Sequence, residues 1–205
     1  MDEEGPEILD LLDRAGRGEA EAFERLFAEN REPLRRAIAL RLDRRVAARA
    51  DASDVLQETY LEASRRLATY LERRPMPFAL WLRWLARERV LVCHRRHLLA
   101  EQRAVGLEEL PVDSSAQFVR GMLGREPSPS HAARAGELAE LLRRALAQLD
   151  DEERDLILWR HFEYLRNREI AQLLGITEAA ANKRYIRATE RLRGLLNRLG
   201  VSDAG

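Results

Sequence analysis

From Asn182 to Arg198 the chain carries Lys183, Arg184, Arg187, Arg191, Arg193 and Arg198 against the single acid Glu190. Guanidinium and ammonium groups at this density bind anions, and an arginine can also make a paired hydrogen bond to the O6 and N7 atoms of guanine. Lys183 and Arg187 are i,i+4 neighbours, and Arg184, Arg187 and Arg191 continue one flank, a spacing that lets a helix lie along a phosphate backbone. A basic run alone is also what a solvated helix face looks like. The residues before it argue for more.

Those residues supply a helix, a corner and a cap. Ile170, Leu173 and Leu174 form an apolar stripe at helical spacing, and Gly175 can take the left-handed conformation that ends such a helix. Ile176 then plugs the corner, and Thr177 offers a hydroxyl to the free N–H groups of a second helix that begins with Glu178 and Ala179 to Ala181. Asn167–Arg193 therefore reads as a helix-turn-helix, an architecture whose second helix enters the major groove of DNA. Thr177, Lys183, Arg184, Arg187 and Arg191 are the candidate DNA contacts. Asn167 is the expected cap of the first helix of the pair.

A second basic segment runs from Phe78 to about Arg103, with Arg83, Arg87, Arg89, Arg95, Arg96 and Arg103 against Glu88 and Glu101. Aromatic rings beside arginines suit single-stranded DNA, since a base stacks on a ring while the cations hold the backbone. Phe78 and Trp81 are better read as core. Trp84, three residues on, covers an adjacent strip, and Arg83, Trp84, Arg87, Arg95 and Arg96 are the candidate contacts. Upstream, Leu56, Tyr60, Ala63 and Leu67 mark a core stripe, and Asp54, Gln57 and Glu58 fall off it as a polar, mainly acidic cluster open to a protein partner. A solvated helix face would have the same composition.

Composition sets the frame. The 205 residues are 34% charged and 6% aromatic, with few alternating runs of the kind strands need, which points to helix throughout. The net charge of zero hides an asymmetry, because residues 1–34 hold eleven acids and four arginines. Acidic faces beside basic ones suit a protein that binds DNA on selected surfaces and a protein partner on others. The single cysteine, Cys93, excludes an internal disulfide and is compatible with a reducing cytoplasm. No apolar run approaches the ~18 residues of a membrane span. Cys93, His94 and His97 lack a fourth ligand and are expected to hold no metal, and no cofactor motif is present.

Helices are expected at Glu7–Ala15, Glu19–Ala28 and Pro33–Arg44, with Pro33 in a first turn, and at Glu152–Phe162, where Asp150 and Glu153 have capping-box spacing. The stretch 104–133 contains Pro111, Pro127 and Pro129 with interspersed glycines and serines, and reads as a linker carrying a short helical piece at Gln117–Leu123. The expected fold class is all-α: two small helical domains joined by a flexible linker, the second carrying the helix-turn-helix. The boundaries are 1–103, 104–133 and 134–205.

In this order the segments resemble a bacterial RNA polymerase sigma factor of the small extracytoplasmic-function (ECF) type of the sigma-70 family. Asp54-Val-Leu-Gln-Glu-Thr-Tyr-Leu is similar to that family's polymerase-binding helix, Phe78 to Arg96 to its minus-ten segment, and Asp150 to Arg193 to its minus-thirty-five domain. The chain departs from the family at Arg166, where a small cap is frequent, at Trp84, where arginine is common, and at Val92-Cys93, where Asp-His is common. The resemblance implies a non-enzymatic cytoplasmic protein that docks on core RNA polymerase through Asp54, Gln57 and Glu58. It also implies that the loop Leu71–Pro77 and the helix after it capture a flipped minus-ten base of the melted non-template strand, that the second domain reads duplex promoter DNA, and that a separate anti-sigma partner controls the protein. The rival reading is a two-domain regulator that senses a signal with its first domain and binds an operator as a dimer. A nucleic-acid enzyme is a more distant third, for want of clustered catalytic carboxylates.

Overall fold

The structure is a computed structural model that describes residues 4–42, 51–98, 110–123 and 131–202. All its described regular elements are helices: α1 (Pro6–Gly16), α2 (Ala20–Ala39), α3 (Ala52–Arg73), α4 (Phe78–Leu98), α5 (Val112–Leu123), α6 (His131–Leu146), α7 (Asp151–His161), α8 (Asn167–Leu174) and α9 (Glu178–Ser202). They fall into two compact units, Met1–Gln102 and Arg103–Gly205.

In the first unit, α2 packs on α1, α3 and α4. Leu12, Leu26, Leu34, Ile38, Leu82 and Leu85 are fully buried, with Phe23, Phe27 and Leu56 around them. Two separate helices were expected across Pro33, yet α2 runs through it as one. The proline removes a single backbone donor, and the face that continues across it, with Leu26, Phe27, Leu34 and Ile38 all buried, outweighs a cost of about 3 kcal/mol for an interior proline. Asp43 and Arg44, at the expected end of that helix, lie outside the described residues, as does Arg103.

Asp51 begins α3: its carboxylate accepts from the N–H groups of Ser53 at 2.7 Å and Asp54 at 2.9 Å, while Asp54 Oδ2 accepts in return from the Asp51 N–H at 3.1 Å. This is a reciprocal capping box with Asp in the return position. At the other end Arg74 takes the left-handed conformation, φ 36°, and its guanidinium reaches Asp13 at 2.9 Å. The following loop is pinned by the Tyr70 hydroxyl, which donates to the Met76 carbonyl at 3.0 Å. Tyr70 stacks on Trp81 with ring centroids 4.4 Å apart and meets Phe78 edge-on at 5.7 Å. Burial raises the Tyr70 hydroxyl above its ordinary pKa. Phe78 and Trp81 are therefore core, as expected, and they fix the start of α4.

In the second unit α9 is the central helix, in contact with α5, α6, α7 and α8. The expected linker contains more structure than its composition suggests. Helix α5 occupies Val112–Leu123, begins five residues before the expected helical piece, and packs chiefly on α6. Ala116, Val119 and Met122 recur at three-residue spacing and are all buried, so tertiary burial stabilises a helix that local propensity leaves unsettled. Asp150 and Glu153 form the expected capping box at the start of α7. Arg154, also buried, donates to the carbonyls of Leu146 at 3.1 Å and Leu149 at 2.9 Å and to Asp151 at 3.0 Å. It thereby ties the last residue of α6 and the turn after it to the start of α7.

Candidate nucleic-acid interface

Helices α8 and α9 form the helix-turn-helix, and its corner is set by backbone hydrogen bonds. Gly175 has φ 64° and ψ 35°. The Ile176 N–H donates to Ala171 O at 3.0 Å and the Gly175 N–H to Gln172 O at 3.2 Å, the pair of bonds that closes a helix on a left-handed glycine. Thr177 Oγ1 then accepts from the Ala180 N–H at 3.2 Å and caps α9. The cap of α8 is Arg166, not Asn167. A guanidinium has no acceptor, so only the return half of a capping box forms, with Glu169 Oε2 accepting from the Arg166 N–H at 2.7 Å.

On α9 the packed face is Ala181, Ala188, Leu192, Leu195 and Leu196. Thr177, Lys183, Arg184, Arg187 and Arg191 are all exposed, but the structure divides the basic ones into two sets. Arg184 Nη1 lies 2.5 Å from Glu152 Oε1, and Arg191 Nη1 lies 2.8 Å from Glu153 Oε2 and 3.8 Å from Asp150 Oδ2. The acidic first turn of α7 thus holds these two arginines on the flank next to the packed face. Lys183 and Arg187 lie farther round the helix, and neither forms an ion pair with the described residues. Exposed pairs contribute about 0–1 kcal/mol, so the Glu152 and Glu153 contacts restrain Arg184 and Arg191 without locking them.

Behind this face the His161 Nε2 and the Tyr185 hydroxyl are 2.7 Å apart, and the Phe118 ring lies 4.1 Å from the His161 ring. Side chains of α5, α7 and α9 therefore meet at one point. Burial, with a smaller contribution from Arg160, lowers the His161 pKa to about 4. Sequence reasoning missed this cluster, whose members lie 24 and 43 positions apart and share no local motif.

In the first unit Asp54 and Gln57 are exposed and Glu58 is half-buried. Gln57 also lines a groove of about 470 Å³ between α2 and α3, with Glu24, Phe27, Arg31, Leu56 and Tyr60. On α4, Arg83 is half-buried and donates to Ala79 O at 3.2 Å, and Arg95 is exposed and donates to Leu91 O at 3.3 Å. Arg87 is half-buried, and the Arg96 side chain lies outside the described residues. Trp84 is partly buried against the core, and the Arg66 guanidinium sits 5.9 Å from its ring centroid. Arg66 is itself held by Glu62 at 2.6 Å and Glu88 at 3.1 Å. Cys93 is buried. Among the described residues no group of three or more His, Cys, Asp or Glu side chains is placed to hold a metal, and no helix is long and apolar enough to cross a membrane.

Fold and site together define a class: a two-unit helical protein whose second unit presents a helix-turn-helix with an exposed basic recognition helix. Comparison with known proteins refines this. Residues 27–98 match the sigma-70 region 2 family and residues 139–192 match sigma-70 region 4. The probable RNA polymerase sigma factor RfaY of Xanthomonas campestris is 31% identical over 172 residues, which covers 82% of this chain and 39% of the relative. The ECF RNA polymerase sigma factor BldN of Streptomyces coelicolor is 27% identical, covering 95% of this chain and 68% of the relative. The sigma factor CarQ of Myxococcus xanthus is 29% identical, covering 94% and 99%. The solved structure of CnrH in complex with the cytosolic domain of CnrY shares the fold, with a TM-score of 0.58 at 20% identity over 92% of this chain and 96% of that one. The chain belongs to the sigma-70 family of RNA polymerase sigma factors, in its ECF branch, and carries regions 2 and 4. Both halves match sigma-70 regions, which does not favour a signal-sensing regulator.

Proposed function

We propose that this chain binds core RNA polymerase and directs it to a set of promoters, and that it is a cytoplasmic recognition subunit with no catalytic activity of its own. The observation that carries this reading is the capped, solvent-facing α9 with its uncommitted Lys183 and Arg187, in a chain whose first unit matches the region 2 family.

In this reading residues 1–103 form the polymerase-docking and minus-ten domain. Asp54, Gln57 and Glu58 meet the clamp of the polymerase largest subunit. The segment Leu71–Pro77, which is the end of α3 and the loop after it, is pinned through Tyr70. With the basic side of α4, carrying Arg83, Trp84, Arg87, Arg95 and Arg96, it holds the melted non-template strand, where stacking and capture offset an unstacking cost of a few kcal/mol. The connection between the domains falls within residues 104–133, a stretch that also contributes α5 to the second unit. Residues 134–205 read the minus-thirty-five duplex through Thr177, Lys183, Arg184, Arg187 and Arg191. As CnrH is bound by the cytosolic domain of CnrY, control by a separate anti-sigma protein belongs to the same reading.

The test is transcription by purified core polymerase from a randomised promoter library, with and without the full chain. Enrichment of a two-part promoter that depends on the chain supports the reading, and a chain-independent transcript profile overturns it.

A further inference from the structure

Among the described side chains of α9, Ile186 is the one large apolar group left exposed, at 45%. It stands two residues before the fully buried Ala188, which on a 3.6-residue helix places it about 160° from that residue, on the outward side. Asn182, Lys183, Arg187 and Glu190 share this outward arc and are all exposed. A lone isoleucine on a surface is ordinary. The placement of Ile186 is not, because it lies in the N-terminal half of the second helix of a helix-turn-helix, where side chains of this architecture meet base edges.

We propose that Ile186 is a specificity-determining residue that contacts the 5-methyl group of thymine in the minus-thirty-five element. The inference rests on the sigma-factor reading above and deepens it. The thymine methyl is the one apolar group that base pairs present in the major groove, and it is the natural partner for an aliphatic side chain brought there. Lys183, one turn before Ile186, and Arg187, adjacent to it, carry no ion pair that would have to break before they take phosphates on either side. Their charge brings the helix close, and Ile186 reads what lies beneath.

The test uses holoenzyme made from the full chain and core polymerase, on a promoter enriched from the randomised library. Each thymine of the minus-thirty-five element is replaced singly by deoxyuridine, which keeps the pairing and the O4 acceptor and lacks only the methyl. Replacement at about one or two positions is expected to weaken binding roughly fourfold, the worth of one methyl-sized group removed from water. Ile186→Ala holoenzyme should bind the parent promoter more weakly and be indifferent to the same replacements. Lys183→Ala holoenzyme should keep its methyl sensitivity with a shallower salt dependence. Full affinity of the parent holoenzyme for every deoxyuridine promoter overturns the proposal, as does undiminished methyl sensitivity in Ile186→Ala. If Ile186→Ala instead loses affinity for core polymerase, the residue belongs to a protein interface and the proposal fails. If no promoter is enriched at all, the sigma-factor reading itself falls, a result distinguishable from the others before any base is replaced.

Discussion

At the scale of single residues, the two acids read as one docking feature divide into different roles. Asp54 returns the capping hydrogen bond to Asp51, so Asp54→Ala should cost about 0.3–1.5 kcal/mol of first-unit stability and lower its melting temperature. Glu58 is half-buried, so the exposed Gln57 beyond the cap is the cleaner probe: Gln57→Ala should weaken binding to core polymerase with melting unchanged, and unchanged affinity would remove this residue from the interface. On α9 the ion pairs supply a contrast. Arg187 has no pair to break, so Arg187→Ala should weaken binding to all duplexes alike and reduce the salt slope by about one. Glu152→Gln removes the carboxylate that competes for Arg184 and should tighten DNA binding at low salt. A titration of parent and variants at several salt concentrations reads both effects, and equal affinity of Glu152→Gln and parent would show that the pair does not restrain the arginine.

At the scale of elements, the corner between α8 and α9 depends on one left-handed residue. An added Cβ at Gly175 meets nothing within 4 Å, so Gly175→Ala carries no clash, only the backbone cost of about 1 kcal/mol for a non-glycine residue in that conformation. Thermal unfolding measures it directly. The junction of α5, α7 and α9 has a pH signature. His161 is depressed from 6.5 to about 4, so between those values the unfolded chain binds a proton that the folded unit refuses. The associated stability is fully present above pH 6.5 and is lost as pH falls toward 4. Denaturant unfolding at about pH 7, 5.5 and 4.5 should show this loss, and His161→Phe should flatten it. Equal pH dependence in both proteins would assign the acid sensitivity to other groups.

At the scale of the whole molecule, each unit has its own core and its own capped helices. A fragment of residues 103–205 should therefore unfold cooperatively by itself, with a midpoint close to the matching transition of the full chain. A non-cooperative fragment would show that the second unit depends on the first. The charge asymmetry belongs to this scale too. Acids concentrated in residues 1–34 and cations on α4 and α9 keep a neutral chain from adhering to every nucleic acid while leaving particular faces attractive to DNA.

What the sequence determined by itself is the local part. Helical periods, the Asp150/Glu153 cap and the Gly175 corner act over three to six residues, and the backbone bonds that satisfy them are the same in any tertiary setting. That was enough to place the helix-turn-helix, the all-α class and the order of segments that resembles a sigma factor. Tertiary structure decided what depends on residues far apart. Pro33 lies inside α2 because a buried face continues across it, and α5 forms because Val119 and Met122 find α6 and its neighbours. Arg184 and Arg191 lean to one flank because Glu152 and Glu153, 32 and 38 positions away, share the first turn of α7. His161 is buried where Phe118 and Tyr185 converge on it, and burial is the main cause of its lowered pKa. Burial and ion pairing are properties of proximity in space, and no spacing along the chain encodes them.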